Sequence, residues 1–258
     1  VAESYGAFAR HFDAWQEAFG GPYDDLILPR VLAALARHAP SGRRVADLGT
    51  GTGDLVVALA RAGYAVVGVD RSPAMLAIAR AKVDAAALPS PAPVLVRQDL
   101  RALALAAPVD AAVCVYTVMN QLTEDGDLVR ALASVHGALE PGGLFLFELN
   151  LPEAYARLWT GTETVTLPGA VVTREHRRVA GTPCLEADVT IRRADGAVAR
   201  DRIRQRPYGD PEVAEALRRT GFTLAGVERY DPFAGSGVPT KALWSCTKPG
   251  LNSSPARG

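Results

Sequence analysis

Lysine is nearly missing from this sequence. Of the 28 basic side chains set against 28 acidic ones, only Lys82, Lys241 and Lys248 are lysines, and the rest are arginine. The formal charge is zero, which argues against a broad nucleic-acid surface, since such surfaces carry a net basic balance. Cysteine is scarce too. Cys114, Cys184 and Cys246 form an odd set without CxxC spacing, so they read as reduced, mostly buried thiols, with no zinc site and no bound metal. No apolar run approaches the roughly 18–20 residues of a membrane span. The first residues lack a signal peptide's apolar core. A cytoplasmic chain without a membrane partner is therefore expected. The stretch LNSSPARG at 251–258 reads as a disordered tail.

What is plentiful is apolar: 48% of the 258 residues, enough for one large domain or a domain with a modest insertion. Phe8, Phe12, Trp15 and Phe19 recur at three- and four-residue spacing, which predicts one helical face over 4–20. A second helix is expected at 25–39. Strands and helices then alternate: strands at 43–48, 64–70, 93–99, 109–118 and 144–150, and helices at 54–62, 73–87 and 124–139, with a turn at Pro141-Gly142-Gly143. Such alternation implies a parallel sheet covered on both faces. The pattern changes after Asn150. Residues 163–207 read as β-rich, with a hairpin turning at Ala194-Asp195-Gly196. A helix at 210–220 and strands at 222–231 and 241–248 close the chain.

The most informative stretch is VADLGTGTGD, residues 45–54. Its glycines fall between a strand and a helix, where glycine permits positive φ and lets a ligand approach the backbone. The order is GxGxG, not the GxGxxG dinucleotide fingerprint. Asp70 ends the next strand about 20 residues on, placed to accept from ribose hydroxyls. Asp99 ends a third strand, placed to meet an adenine edge. All three sites lie at carboxyl ends of neighbouring strands, where sheets of this type bind ligands.

On these residues the sequence resembles the class I S-adenosylmethionine-dependent methyltransferases. VADLGTGTGD is similar to their first motif, VVGVDRSPAML to the second, VRQDL to the third, and LEPGGLFLFELN to the segment around the fifth strand. The resemblance implies an α/β, Rossmann-like, seven-stranded and mostly parallel sheet. It also implies an N-terminal helical lid over 1–42, a cofactor-binding core over 43–150, a β-rich substrate cap over 151–210, the rest of the core over 211–248 and a tail over 249–258. S-adenosyl-L-methionine is the implied cofactor and S-adenosyl-L-homocysteine its product. Asp47, Gly49, Thr50, Gly51 and Gly53 would hold the methionine part. Asp70 would take the ribose, Arg71 and Met75 would pack on the adenine, and Asp99 and Leu100 would meet its edge. Tyr116 and Thr117 would hold the ammonium, with Tyr5 on the carboxylate.

Methyl transfer from a sulfonium needs alignment, exclusion of water and at most one base. His11, His176 and Tyr116 are the candidates for that catalytic role. Phe8, Phe12, Asn120, Asn150, Arg206 and Tyr208 are candidates for the substrate wall, an arginine there suiting an anionic or phenolic acceptor. Asn120 reads equally as a helix cap, Met75 as helix-face packing and Arg206 as part of an exposed, ion-paired hairpin. The acceptor is expected to be O or N of a small molecule, of the kind made in bacterial secondary metabolism, and the enzyme a monomer or homodimer. Some relatives N-methylate amino sugars. These often carry an acidic residue followed two positions later by His on the insertion's last long strand, where this chain has Asp201 and Ile203. Two rival readings stay open: a cyclisation or rearrangement in the same kind of pocket, and a non-catalytic cofactor-binding subunit.

Overall fold

The computed structural model describes residues 5–20, 23–38, 43–232 and 238–250. The expected tail at 251–258 lies outside them. In chain order the first half contains α1 (Phe12–Gly20), α2 (Tyr23–Arg37), β1 (Arg44–Leu48), α3 (Asp54–Arg61), β2 (Ala65–Asp70), α4 (Pro73–Ala85), β3 (Val94–Arg97), β4 (Val109–Cys114) and α5 (Asp127–Ala138). The second half contains β5 (Leu139–Asn150), α6 (Pro152–Leu158), β6 (Thr162–Leu167), β7 (Ala170–Arg178), β8 (Leu185–Arg193), β9 (Val198–Gln205), α7 (Asp210–Arg219), β10 (Thr223–Tyr230) and β11 (Lys241–Thr247).

Runs such as Val45-Ala46-Asp47-Leu48 are buried throughout, because helices cover both sides of their sheet. Seven strands form it in the order β10-β11-β5-β4-β1-β2-β3. The pairs from β3 to β5 are parallel, and β11 runs antiparallel to both of its neighbours. Ile27, Val31 and Leu35 of α2 join Val56 and Leu59 of α3 and Val83 of α4 in the core on one face. Leu128, Leu132 and Val135 of α5 join Val213 and Leu217 of α7 on the other. Strand order reverses between β1 and β4, and the crevice at such a switch point is where doubly wound sheets bind ligands.

A second, antiparallel sheet β6-β7-β8-β9 holds the insertion. Phe8, Tyr155 and Trp159 pack with Val172, Ala187, Val189 and Ile203 in a third apolar cluster. The aromatic face of the N-terminal segment is thus buried against the insertion rather than against the main sheet.

Three local expectations change. The first helix does not start at residue 4: Tyr5 has φ +65°, a 3₁₀ turn spans Ala9–His11, and the α-helix begins at Phe12. The strand expected over 109–118 stops at Cys114, because Tyr116 and Thr117 adopt φ +61° and +62°. The Pro141-Gly142-Gly143 turn is absorbed into β5. There Gly142 takes φ +82°, and the pairing with β4 jumps from Val109↔Leu139 to Ala111↔Leu144.

Candidate active site

The glycine turn follows β1 directly and is pinned to β2, whose Val69 carbonyl accepts from the amides of Gly49 and Thr50 at 2.7 and 2.9 Å. All three glycines have positive φ, yet their surroundings differ. A Cβ at Gly49 would lie 2.4 Å from Val118 Cγ2, and one at Gly53 2.8 Å from Ala79 Cβ. At Gly51 the nearest atom would be the Gly49 carbonyl oxygen, at 4.0 Å. Gly49 and Gly53 therefore permit close packing, while Gly51 leaves the backbone open to the crevice.

Three carboxyl groups ring that opening, each held differently. Asp47 is buried at 2% exposure and accepts from Thr50 Oγ1 at 2.6 Å. Burial, with a smaller contribution from the Asp70 charge and against the Thr50 hydrogen bond, pushes its carboxyl up to about 7. Asp70 accepts from the amides of Gly51 at 2.9 Å and Ser72 at 2.8 Å. Burial raises its pKa and these amides oppose the rise. Asp99 differs. Arg101 donates to both of its oxygens, at 2.9 and 2.6 Å, and holds its pKa below the usual carboxylate range. Arg101 also bonds Asp127, so Asp99 belongs to an ion-pair network as well as to the cavity wall.

These groups line a cavity of about 580 Å³, a size typical of small-molecule sites. Tyr5, Asp47, Gly49, Thr50, Gly51, Asp70, Arg71, Met75, Asp99, Leu100 and Tyr116 all reach its wall. Gly53 does not, since its role is packing, and Thr117 faces elsewhere.

A second cavity of about 140 Å³ adjoins the first and shares Tyr5, Phe12, Gln16 and Tyr116 with it. Its remaining wall includes Phe8, Trp15, Thr117, Asn150, Trp159, Arg174, Ile203, Gln205 and Lys241. Two consecutive non-glycine residues in the left-handed region cost about 1–3 kcal/mol each. Here they place Tyr116 at the junction of both cavities and Thr117 on the second. Gln205 donates to Thr117 Oγ1 at 3.2 Å and accepts from Tyr155 at 2.8 Å. On the same wall Lys241 bonds Glu148 at 2.6 Å and Asn150 Oδ1 at 3.0 Å. Tyr230 donates to the other Glu148 oxygen at 2.6 Å.

The N-terminal segment roofs both cavities and is fastened at two points. Asp13 pairs with Lys82 of α4 at 2.7 Å and accepts from Thr52 of the glycine turn at 2.6 Å. Lys82 is also paired with Asp54. At the other end Asp201 of β9 accepts the Phe8 amide at 2.6 Å.

Residues 45–143 match the family described as "Methyltransferase domain". The match runs from β1 to the start of β5 and includes the glycine turn and most of the first cavity's wall. The chain has the fold of a solved S-adenosylmethionine-dependent methyltransferase from Clostridium acetobutylicum, with TM-score 0.79, 16% identity, and 95% of this chain and 100% of that one covered. A solved glycopeptide N-methyltransferase, MtfA, complexed with (S)-adenosyl-L-methionine is 26% identical, with TM-score 0.56 over 85% of this chain and 92% of that one. A Streptomyces fradiae dTDP-3-amino-3,6-dideoxy-alpha-D-glucopyranose N,N-dimethyltransferase is 31% identical over 174 residues, 67% of this chain and 65% of its own. The chain spans little more than half the length of the first curated relatives it matches, from Geobacillus and Bacillus subtilis, at 58% and 55%.

Several expected site residues stand outside both cavities. His11 lies in the 3₁₀ turn and lines neither. Partial burial and the nearby Arg10 and Arg193 lower its pKa. His176 also lines neither. Its ring packs 5.2 Å from Trp159, and burial, reinforced by Arg174, lowers its pKa to about 4. Asn120 is a structural tie, accepting from the Asn150 amide at 2.8 Å and donating to the Arg206 carbonyl at 3.0 Å. Arg206 turns away to Asp125 and Glu212 and stacks on Tyr208. The Tyr208 hydroxyl is occupied by the Leu122 carbonyl. Phe8, Phe12, Asn150 and Tyr116 do reach the second cavity.

Arg174, Trp159, Gln205 and Lys241 were not legible as site residues. Arg174, Gln205 and Lys241 sit in strands and Trp159 just past the end of α6, none with a flanking motif. Among the described residues no His, Cys, Asp or Glu cluster could hold a metal ion, and no helix is long and apolar enough to cross a membrane.

Proposed function

We propose that the chain is an S-adenosylmethionine-dependent methyltransferase acting on O or N of a small molecule. The observation that carries this reading is the pair of adjoining cavities. One opens on Gly51 between acidic side chains, and the other is aromatic and walled by the insertion, with Tyr116 between them. The residues present fit the cofactor. Gly51 provides backbone room, and Val69, Met75 and Leu100 supply an apolar slot beside the Asp70 carboxylate. A buried carboxyl at the turn, Asp47, suits a cationic ligand and repels the pyrophosphate of a dinucleotide. When bound, S-adenosylmethionine supplies a methyl group on a sulfonium, a leaving group that needs no metal activation.

The chain's own residues then bind, orient and exclude water. Asp70 accepts from the ribose hydroxyls, and Asp47 orients the turn and meets the ligand's ammonium. Tyr5 and Phe12 close the roof over the reacting centre. Tyr116 positions the acceptor, its backbone already strained into place. Neither His11 nor His176 serves as the base. An amine acceptor that enters neutral needs none at the transfer step, since its proton leaves afterwards to solvent. Sugar N-methylation in an antibiotic pathway is the setting that the Streptomyces fradiae relative supports. Against it, Ile203 lines the second cavity where such enzymes often carry His.

The test is incubation of the protein with methyl-labelled S-adenosylmethionine and a panel of amino sugars, amines and phenols. Label in an acceptor is expected. Product formed without label would favour a rearrangement in the same pocket instead.

A further inference from the structure

The second cavity contains a buried cation whose donors are unused. Arg174 is 6% exposed, and its guanidinium carbon stands over two indoles, 4.7 Å from the Trp15 ring and 5.5 Å from the Trp159 ring. The Glu163 carboxylate stands 3.8 Å from its Nη1, beyond hydrogen-bond range. Arg174 Nε has no partner, and among the described residues no hydrogen bond leaves this guanidinium. A buried guanidinium whose donors meet no acceptor is costly. Arg174 reaches the cavity wall, so an acceptor bound in the cavity can meet it.

We propose that Arg174 receives a carboxylate of the methyl acceptor. This rests on the methyltransferase reading and narrows it to an acceptor that is a small monoanion with an apolar or aromatic body. The charge balance favours one negative charge rather than two. Lys241, the other cation on this wall, is already matched by Glu148, and Glu163 partly offsets Arg174. The planar fork of arginine fits a carboxylate with two parallel hydrogen bonds. A cavity of about 140 Å³ admits a ring or short chain. The expectation of an anionic acceptor attached to Arg206 thereby moves to Arg174, because Arg206 spends its charge on Asp125 and Glu212.

Because Trp15 and Trp159 flank the guanidinium, tryptophan fluorescence reports its occupancy. The experiment titrates the wild type, Arg174→Met and Arg174→Lys with benzoate, cyclohexanecarboxylate, benzamide and phenyl phosphate. Each titration runs with and without saturating S-adenosylhomocysteine. The carboxylates are expected to bind the wild type about tenfold or more tighter than benzamide. That preference should vanish in Arg174→Met and be partly kept in Arg174→Lys, with S-adenosylhomocysteine affinity the same in all three. Equal binding of acid and amide, no carboxylate binding, or a preference for phenyl phosphate would overturn the proposal. So would a carboxylate preference that survives in Arg174→Met. If S-adenosylhomocysteine fails to bind while the carboxylate preference persists, the cofactor reading falls and the anion site stands.

Discussion

Asp201 Oδ2 accepts the backbone amide of Phe8 at 2.6 Å, so the segment that roofs both cavities hangs from the sheet that walls the second one. The nearby amides of Gly6 and Ala7 favour the same carboxylate. A hydrogen bond to a charged group contributes about 1.5–3 kcal/mol. Asp201→Ala should therefore raise hydrogen exchange at amides 6–8 by about tenfold or more. Asp201→Asn, which keeps an acceptor oxygen, should raise it far less. Equal exchange in Asp201→Ala and wild type would show that the roof is held by its aromatic packing alone.

The opposite fastening is weaker. Lys82 and Asp13 keep side-chain exposures of 27% and 44%, and such half-exposed pairs contribute about 0.2–1 kcal/mol. Lys82→Met is expected to speed S-adenosylhomocysteine release by about two- to fivefold. Raising salt should reproduce much of that change in the wild type and little of it in the variant. Stopped-flow release rates measure both.

Asp47 couples the site to pH. Its carboxyl lies at about 7 in the folded protein against 3.8 unfolded. Below about pH 4 both states hold the proton and there is no effect. As pH rises from 4 to 7 only the unfolded state releases it, so stability falls across that window and stays lowered above it. The upper bound is about 4 kcal/mol. Asp47→Asn should therefore match the wild type in melting temperature near pH 4 and exceed it at pH 8. The same carboxyl ionises when a cation binds beside it. Calorimetry in buffers of different ionisation enthalpy should show proton release on S-adenosylmethionine binding at pH 6.5, absent in Asp47→Asn.

The turn glycines should separate in their effects. Gly53→Ala drives a Cβ against Ala79 at 2.8 Å and should cost about 2–4 kcal/mol, through the clash and the positive φ together. Gly51→Ala meets open space and should cost only about 1–2 kcal/mol. Cofactor affinity should fall in Gly51→Ala, since its methyl enters the cavity. Thermal melts and S-adenosylhomocysteine titrations distinguish the two.

The main sheet was legible because its strands are short apolar runs alternating with helices, and the first cavity because its glycines and acids follow one another at strand ends. Gly51 and Asp70 could be placed from spacing, and Asp47 from the family resemblance. The second cavity could not. Arg174 lies on a strand whose neighbours alternate like any half-buried hairpin, and its importance comes from Trp15 and Trp159, each distant in sequence. His176 is two residues further along the same strand, yet it packs against Trp159 outside the cavities. Tyr116 and Thr117 read as strand because nothing in a Tyr-Thr pair foretells left-handed backbone. Asn120 and Tyr208 are polar groups whose partners are backbone atoms about 30 and 86 residues away in sequence, and sequence spacing does not reveal such ties.

The most direct measurement is calorimetric titration of the wild type and Asp70→Ala with S-adenosylhomocysteine and NADH. One S-adenosylhomocysteine site per chain is expected, weakened about tenfold or more in Asp70→Ala, with no binding of NADH. A folded wild type that binds NADH tightly and ignores S-adenosylhomocysteine would contradict it.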